Sequence, residues 1–587
     1  MKRLLVYLKD YKKESILAPL FKMLEASFEL FVPLVVADMI DTGISSKDVG
    51  YILRMGGLLL LLAAIGLTCS ITAQYYAAKA ATGFAAKMKY ALFAHIQKLG
   101  YTEMDTQGTS TLITRMTSDS NQVQNGVNLV LRLFLRSPFI VLGAMVMAFT
   151  IDVQAALIFV VAIPLLSIVV FGIMIASIPL YKKVQGKLDS VLEITRENLT
   201  GVRVIRAFHQ EEEETRRFEE SNQALTKVQM FVGRISALMN PLTFVIVNGA
   251  IMALIWTGAW KVDSGVLTQG QVVALVNYMS QILVELVKLA NLIINITKAL
   301  ACAKRIEGVF EIHASLTEPA DTVNGWERKG ETIVDFNHVT LKYKNAGAPS
   351  LTDIDFHVKR GETVGIIGGT GSGKTSLVNL IPRFYDVTEG SVCINGTDVR
   401  KFSLDGLRRR IGIVPQKAVL FAGTIRENLR WGKDDATEEE MKEALRVSQA
   451  MEFVESKEGG LDAVVAQGGK NLSGGQRQRL TIARAVIRKP DILILDDSAS
   501  ALDFATDARL RKSIREMEHQ PTVFIVSQRA ASIQHADQII VLDDGMMAGI
   551  GTHEELLNSC SVYQEIYYSQ FKKTTGSQTD FVQGKEA

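Results

Sequence analysis

Cysteine is scarce. The 587 residues hold four, Cys69, Cys302, Cys393 and Cys560, with none close to another and none in a C-x-x-C spacing. That spacing excludes a disulfide framework and argues against a zinc site. Free thiols in a reducing compartment are the expectation. Net charge is nearly absent as well: 64 Lys and Arg stand against 62 Asp and Glu, leaving +2. Such a balance builds no field for an acidic substrate, and no nucleic-acid partner is expected. His95, His209 and His553 lack ligand-spaced neighbours, so no histidine metal site is expected. A cleavable signal peptide is missing too. The opening MKRLLVYLKDYKK is basic, but Lys9 and Asp10 interrupt its short apolar stretch. It reads as a basic amphipathic helix lying on the cytosolic membrane face.

What is abundant is apolar residues, 48 % of the chain, and they are unevenly spread. Residues 1–300 carry long apolar runs, while 330–570 read as a soluble domain. A membrane-crossing helix needs about 20 mostly apolar residues. Six runs qualify: Ile16–Val36, Ile52–Ala77, Leu129–Thr150, Val153–Ile178, Leu238–Trp260 and Val272–Leu300. Short connections alternate with two long polar ones, Lys79–Asn128 and Tyr181–Ala237. Lys2, Lys12 and Lys13 precede the first run, and Lys87, Lys89, Lys98, Arg115, Lys182, Lys183, Arg203 and Arg206 fill the long connections. Positive residues stay on the cytosolic side, so both termini and both long connections are expected there. Glu25 and Glu29 lie four apart inside the first run, on one helix face, with Lys22 one turn earlier. Each mid-membrane charge costs about 2.5–3.5 kcal/mol, so such groups face a cavity or a partner. Two readings stay open: a polar lining for cationic cargo, or a structural Lys22–Glu25 pair or neighbouring-helix contact.

After a polar connector the pattern changes. TIVDFNHVTLKY alternates apolar and polar residues, as a half-buried strand does. ETVGIIGGTGSGKTSLVNLI then reads strand, glycine loop, helix. Gly368, Gly369, Thr370, Gly371, Ser372, Gly373, Lys374 and Thr375 match G-x-x-x-x-G-K-[ST] in full, with Ser376 next. Backbone N–H groups of such a loop turn toward phosphates, the lysine reaches the β- and γ-phosphates, and the threonine hydroxyl takes Mg²⁺. The following helix adds its positive end. DILILDD supplies the matching acid, Asp496, expected to hold Mg²⁺ from the end of a strand.

NLSGGQRQRL, residues 471–480, precedes DILILDD by a few residues. Here the sequence resembles the ATP-binding cassette family, whose signature is LSGGQ. The resemblance covers nearly the whole chain and looks like a half-transporter of the exporter type. It implies ATP and Mg²⁺ as cofactors, and roles for further residues. Tyr343 resembles the aromatic that stacks on adenine, and Gln416 the glutamine that links Mg²⁺ to the membrane helices. Ser500–Asp503 resembles the dimer-contact loop. Ser473, Gly474, Gly475 and Gln476 would cap the γ-phosphate held by a second cassette. TQGTSTLITRM (106–116) and ENLTGVRVIRAF (197–208) resemble the two coupling segments that dock on cassettes.

Two positions depart from the family pattern. The catalytic position after the Mg²⁺ aspartate is usually Glu; here it is Asp497. One methylene shortens its reach by roughly 1.5 Å, and a misplacement of about 1 Å can cost on the order of 100-fold in rate. The switch position is usually His; here it is Gln528, which hydrogen-bonds but holds no positive charge. Gln467 replaces an acid common in exporters, a milder change.

The expected fold is an α-helical membrane domain of six transmembrane helices with long cytosolic extensions, fused to an α/β P-loop nucleotide-binding domain. The expected boundaries are 1–310, a linker 311–332, 333–571, and a disordered tail 572–587. The expected role is one subunit of a heterodimeric exporter in the plasma membrane. Its own site (Asp497, Gln528) would hydrolyse poorly. Its signature would complete the site of a non-identical partner carrying Glu and His. Amphipathic drug-like, lipid or peptide cargo would cross by alternating access. The absence of an N-terminal peptidase domain argues against leader-peptide processing. A homodimeric exporter and an ATP-gated channel or sensor are the alternatives.

Overall fold

The computed structural model describes residues 3–319, 323, 326, 330–498 and 500–571. Contacts divide the chain into two compact units, Met1–Lys98 with Thr109–Ile312 and Leu99–Gly108 with His313–Ala587. The ten residues Leu99–Gly108 thus leave the expected 1–310 block and pack with the second unit. The expected tail 572–587, and parts of the expected linker, lie outside the described residues.

The first unit is helical. Among the described residues five helical stretches are long and apolar enough to cross a membrane: Val49–Ile96, Thr109–Ile151, Val153–Thr200, Glu211–Asp263 and Gln269–Phe310. The helix Lys12–Asp38, expected as a sixth span, falls short of that composition. Lys22, Glu25 and Glu29 lie within any bilayer-length window of it. Val49–Ile96 and Val153–Thr200 have 48 residues each. At 1.5 Å per residue each extends roughly 70 Å, well beyond an apolar core of about 30 Å.

Several charges inside these helices are paired. Lys22 Nζ lies 2.6 Å from Glu25 Oε2 and donates to Ser70 Oγ at 3.1 Å. The Arg136 guanidinium donates to Glu29 at 2.6 Å and to Glu285 at 2.7 Å. Ser137 Oγ and Lys288 Nζ also donate to Glu285, at 2.8 and 2.9 Å. Three helices, Lys12–Asp38, Arg136–Ile151 and Gln269–Phe310, are therefore stapled by one charge-assisted network. Of the two readings left open for Glu25 and Glu29, the Lys22–Glu25 pair and a neighbouring-helix contact, from Arg136 to Glu29, are present. Glu29 still borders a cavity of about 420 Å³ with Asn277, Gln281 and Lys288.

Among the described residues the second unit holds twelve strands: β1 (Thr332–Leu341), β2 (Leu351–Lys359), β3 (Thr363–Gly368), β4 (Glu389–Ile394), β5 (Thr397–Asp398), β6 (Ile411–Val414), β7 (Gly423–Thr424), β8 (Val464–Val465), β9 (Ile492–Asp496), β10 (Thr522–Val526), β11 (Gln538–Asp543) and β12 (Met546–Gly551). One sheet runs β12-β11-β3-β10-β9-β6, a second runs β2-β1-β4-β5, and β7 pairs with β8. In the first sheet β11, β3, β10, β9 and β6 pair in parallel and β12 closes the edge antiparallel. β3, β9 and β10 are buried along their whole length. That is why they read as continuous apolar runs rather than alternating ones. Val526 pairs with both Ile366 and Asp496, which aligns the carboxyl ends of β3, β10 and β9. Ligands of parallel α/β sheets bind in the crevice beyond such ends.

Removing one member of the buried network strands another. Arg136→Met leaves Glu285 short of its main cation and is expected to destabilise the membrane unit by on the order of 3 kcal/mol. Arg136→Met with Glu285→Met is expected to recover most of that loss. Denaturant unfolding of the purified protein in detergent checks both.

Candidate functional site

The loop after β3 is shaped by its glycines. Gly371 and Gly373 sit at φ +86° and +92°, a region L side chains avoid. A Cβ on Gly368 would lie 2.1 Å from the Leu542 carbonyl oxygen. Lys374 opens the helix Lys374–Leu380, is 9 % exposed, and folds over its own loop. Its Nζ donates to the carbonyls of Gly368 (2.9 Å) and Gly369 (2.5 Å), and to Ser372 Oγ (3.3 Å). Gly369, Thr370 and Gly371 are exposed, which leaves this stretch of backbone open to an anion, while the Ser372 N–H donates to the Gly369 carbonyl at 3.3 Å. Burial pushes the Lys374 ammonium below its usual value, against the pull of Asp497 and Asp496.

Opposite the loop stand the two acids. Asp496 ends β9, is 4 % exposed, and accepts from Thr375 Oγ1 at 3.1 Å. Burial raises its carboxyl above the usual range, partly offset by Thr375. Asp497 follows in the left-handed region, φ +46°, its backbone N–H bonded to the Val526 carbonyl at 3.0 Å. Burial raises its carboxyl too, while a hydrogen bond from Gln416 and the charges of Lys374 and Arg529 lower it. Gln416, beyond β6, is exposed apart from that contact. Thr375, Asp496 and Gln416 present oxygen donors with one carboxylate that burial leaves under-compensated. That set fits Mg²⁺, which takes few protein oxygens and keeps waters and phosphates. Thr375 and Asp496 would hold it directly or through water, with Gln416 beside them.

Gln528 lies just past β10, its side chain exposed. Its carbonyl accepts from Gln570 Nε2 at 2.8 Å, and the same amide's oxygen takes the Ala530 N–H at 2.9 Å. Tyr343 is half-buried past β1, and its hydroxyl donates to Ser376 Oγ at 2.9 Å. The expected adenine-stacking ring is thus tethered to the helix that starts the phosphate loop's far side.

The signature residues form a separate group. Ser473 caps the helix Gly474–Val486: its Oγ accepts from the Gln476 N–H at 3.2 Å, and its N–H donates to Gln476 Oε1 at 3.0 Å. Gly475 comes so close to the Ala501 carbonyl that a Cβ would sit at 3.2 Å. Among the described residues no hydrogen bond joins the signature to the phosphate loop. Gln467 lines a groove of about 1150 Å³ with Phe421, Arg430 and Trp431. Of the expected docking segments, 106–116 overlaps the second unit only at 106–108, while Val202–Ala207 is a short helix of the first unit with Val204 and Phe208 exposed. The residues missed from sequence are Arg136, Glu285, Tyr385 and Asp105; for the first two, a charge inside an apolar run was the available signal.

Comparison with known proteins agrees with this arrangement. The family described as "ABC transporter transmembrane region" matches residues 15–286, and "ABC transporter" matches 351–500. An uncharacterised ABC transporter ATP-binding protein of Mycobacterium tuberculosis is 36 % identical, over 97 % of this chain and 98 % of its own. An ATP-dependent lipid A-core flippase of Desulfotalea psychrophila is 32 % identical, over 91 % of this chain and 93 % of its own. A solved structure of a bacterial Atm1-family ABC exporter with ATP bound shares the fold, with a TM-score of 0.79 at 23 % identity, covering 96 % of this chain and all of that one (100 %).

Lys374→Ala removes the one ammonium folded over the loop. Nucleotide affinity is expected to fall about 10- to 100-fold, the worth of one hydrogen-bonded charge. Displacement of a fluorescent ATP analogue measures it.

Proposed function

Since the chain belongs to the ABC transporter family, with a membrane region and an ATP-binding region in one polypeptide, we propose that it is the weakly hydrolysing subunit of a heterodimeric exporter. The observation that carries this is a complete phosphate loop and signature beside a shortened acid, Asp497, and an uncharged switch residue, Gln528.

The phosphate loop binds the triphosphate through backbone N–H groups and Lys374. Mg²⁺, when bound, neutralises charge between the β- and γ-phosphates. Asp497 is the group that would orient the attacking water, and its carboxylate stops about one C–C bond short, roughly 1.5 Å. Burial lifts its pKa, which by itself favours a proton acceptor, so the deficit assigned here is reach and not basicity. Gln528 can donate a hydrogen bond to the γ-phosphate but adds no positive charge there.

The signature end of Gly474–Val486 points its free N–H groups and helix dipole outward, a surface suited to a phosphate held by a second cassette. A partner with Glu and His would then own the fast site and borrow this signature. ATP favours the closed pair and its loss the open one, so the nucleotide shifts the population between two membrane conformations. The membrane unit is read as six spans with both termini cytosolic; the sixth, Lys12–Asp38, is admitted because its charges are neutralised by partners. The same neutralisation removes the argument for a purely cationic cargo and leaves amphipathic drug-like, lipid or peptide cargo.

The purified chain alone is expected to hydrolyse ATP slowly, and fast turnover as a homodimer would overturn the heterodimer. In the assembled complex, Asp497→Glu with Gln528→His is expected to raise turnover at this site by tens of fold, on the scale of about 100-fold per ångström of misplacement. Single-turnover hydrolysis with the partner's own acid disabled reads it.

A further inference from the structure

The helix Ser561–Gln570 carries one apolar stripe. Tyr563, Ile566 and Tyr567 fall at i, i+3 and i+4 and pack against the core of the second unit. Tyr563 is fully buried, and its hydroxyl meets His553 Nδ1 at 2.7 Å. Tyr567 stacks on Phe571 at 4.7 Å, and Gln564 Nε2 donates to the Leu557 carbonyl at 2.7 Å. The next position on the stripe, i+7, is Gln570, where an amide stands in place of an apolar side chain. A helix anchored in this way delivers that amide to a set place, beside the loop that follows β10.

Backbone groups of that loop are tied in sequence. The Ser527 N–H donates to the Ile366 carbonyl of β3 at 3.1 Å. The Arg529 N–H donates to Ser527 Oγ at 2.9 Å. The Gln528 carbonyl and the Ala530 N–H go to the two ends of the Gln570 amide, at 2.8 and 2.9 Å. Ala530 opens the short helix Ala530–Ile533, so its N–H has no acceptor within that helix. Only one setting of the Gln570 amide, nitrogen to Gln528 and oxygen to Ala530, satisfies both groups. The Gln528 carbonyl and the Arg529 N–H share one peptide plane, which is therefore held on both edges, by Gln570 and by Ser527. The Arg529 guanidinium adds longer contacts, 3.4 Å to the Leu502 and Ser500 carbonyls.

We propose that Gln570 is a positioning residue, holding the loop past β10 so that the Gln528 side chain is aimed at the γ-phosphate. The inference rests on the reading of Gln528 as the residue that donates to that phosphate. Gln528 is exposed, so its direction comes from the backbone beneath it rather than from packing around it. With Ser527 held on one side and Ala530 on the other, the direction of its Cα–Cβ bond follows. Without Gln570 the loop would have to be ordered at the moment the phosphate arrives, and binding would bear that cost. The effect is confined to the γ-phosphate. Among the described residues Gln570 makes no hydrogen bond to the loop Gly368–Thr375, which would hold the other phosphates.

The test is a double-mutant cycle on the full chain in lipid nanodiscs, read by displacement of a fluorescent nucleotide in the presence of Mg²⁺. Two competitors are used: ADP, which lacks the γ-phosphate, and the non-hydrolysable imido analogue of ATP, which has it. Gln528→Ala is expected to weaken the analogue about 3- to 10-fold, the worth of one hydrogen bond, and to leave ADP unchanged. Gln570→Ala is expected to reproduce most of that loss, again without touching ADP. Gln570→Glu is expected to match it, since a carboxylate keeps an acceptor for the Ala530 N–H but offers no donor to the Gln528 carbonyl. With Gln528→Ala in place, Gln570→Ala is expected to add nothing. Analogue affinity unchanged by either Gln570 variant, where Gln528→Ala lowers it, would overturn the positioning alone. So would a loss of ADP affinity alongside that of the analogue, or a further loss in the double variant, since either marks a general contribution to the fold. No loss in Gln528→Ala would overturn the reading of Gln528 and the positioning with it.

Discussion

Parallel pairing of β3, β10 and β9 is the constraint from which the nucleotide site follows. Val526 faces Ile366 on one side and Asp496 on the other, so one register decides three things together. It sets where the phosphate loop begins, where the acids project, and where Gln528 emerges. A slip of one residue would turn every side chain of a strand to the opposite face. These strands are buried on both faces, so such a slip would expose apolar surface and be resisted by the whole core. The geometry of the site is therefore underwritten by hydrophobic burial some distance from any charge. The Asp497 N–H and Ser527 N–H bonds to the neighbouring strands, at 3.0 and 3.1 Å, extend the pairing into the loops themselves.

The membrane unit solves a different problem with a different tool. Apolar helices in lipid gain little from burying apolar faces against one another, so polar pairing and close packing supply specificity. Arg136, Glu285, Glu29 and Lys288 give two positive and two negative groups, shared by three helices. The alanines of Val49–Ile96 that are fully buried, Ala73, Ala77 and Ala80, let that helix approach its neighbours closely. One network fixes which helices are adjacent, and the small residues fix how near they come.

Local motifs were legible and long-range partners were not. Gly368–Thr375, Ser473–Gln476 and Asp496 could be read because their chemistry is carried by contiguous residues whose spacing is itself the signal. Glu29 could be seen as an anomaly, but its partner lies 107 residues away, and no periodicity links the two. The first helix reads as a span on length, but its charges lower it below the composition of the other five. The expected docking segment 106–116 shares only residues 106–108 with the segment that packs in the second unit. The grip on that segment comes from Tyr101, Glu103 and Asp105, whose partners Phe384, Ser315 and Tyr385 are distant in sequence. Asp497 and Gln528 were visible only as departures from a family pattern. Composition and periodicity would have passed over both.

The amide of Gln570 holds the Gln528 carbonyl with its nitrogen and the Ala530 N–H with its oxygen, much as one more strand would. Both contacts are to backbone. The path of the loop is thus independent of the side chain carried at 528, and a change of residue there alters chemistry without disturbing shape. The residue at 528 can therefore vary while the surrounding unit keeps its fold and its core. Chemistry and shape are separable here because the loop is fastened by Gln570, 42 residues further along the chain, through backbone alone.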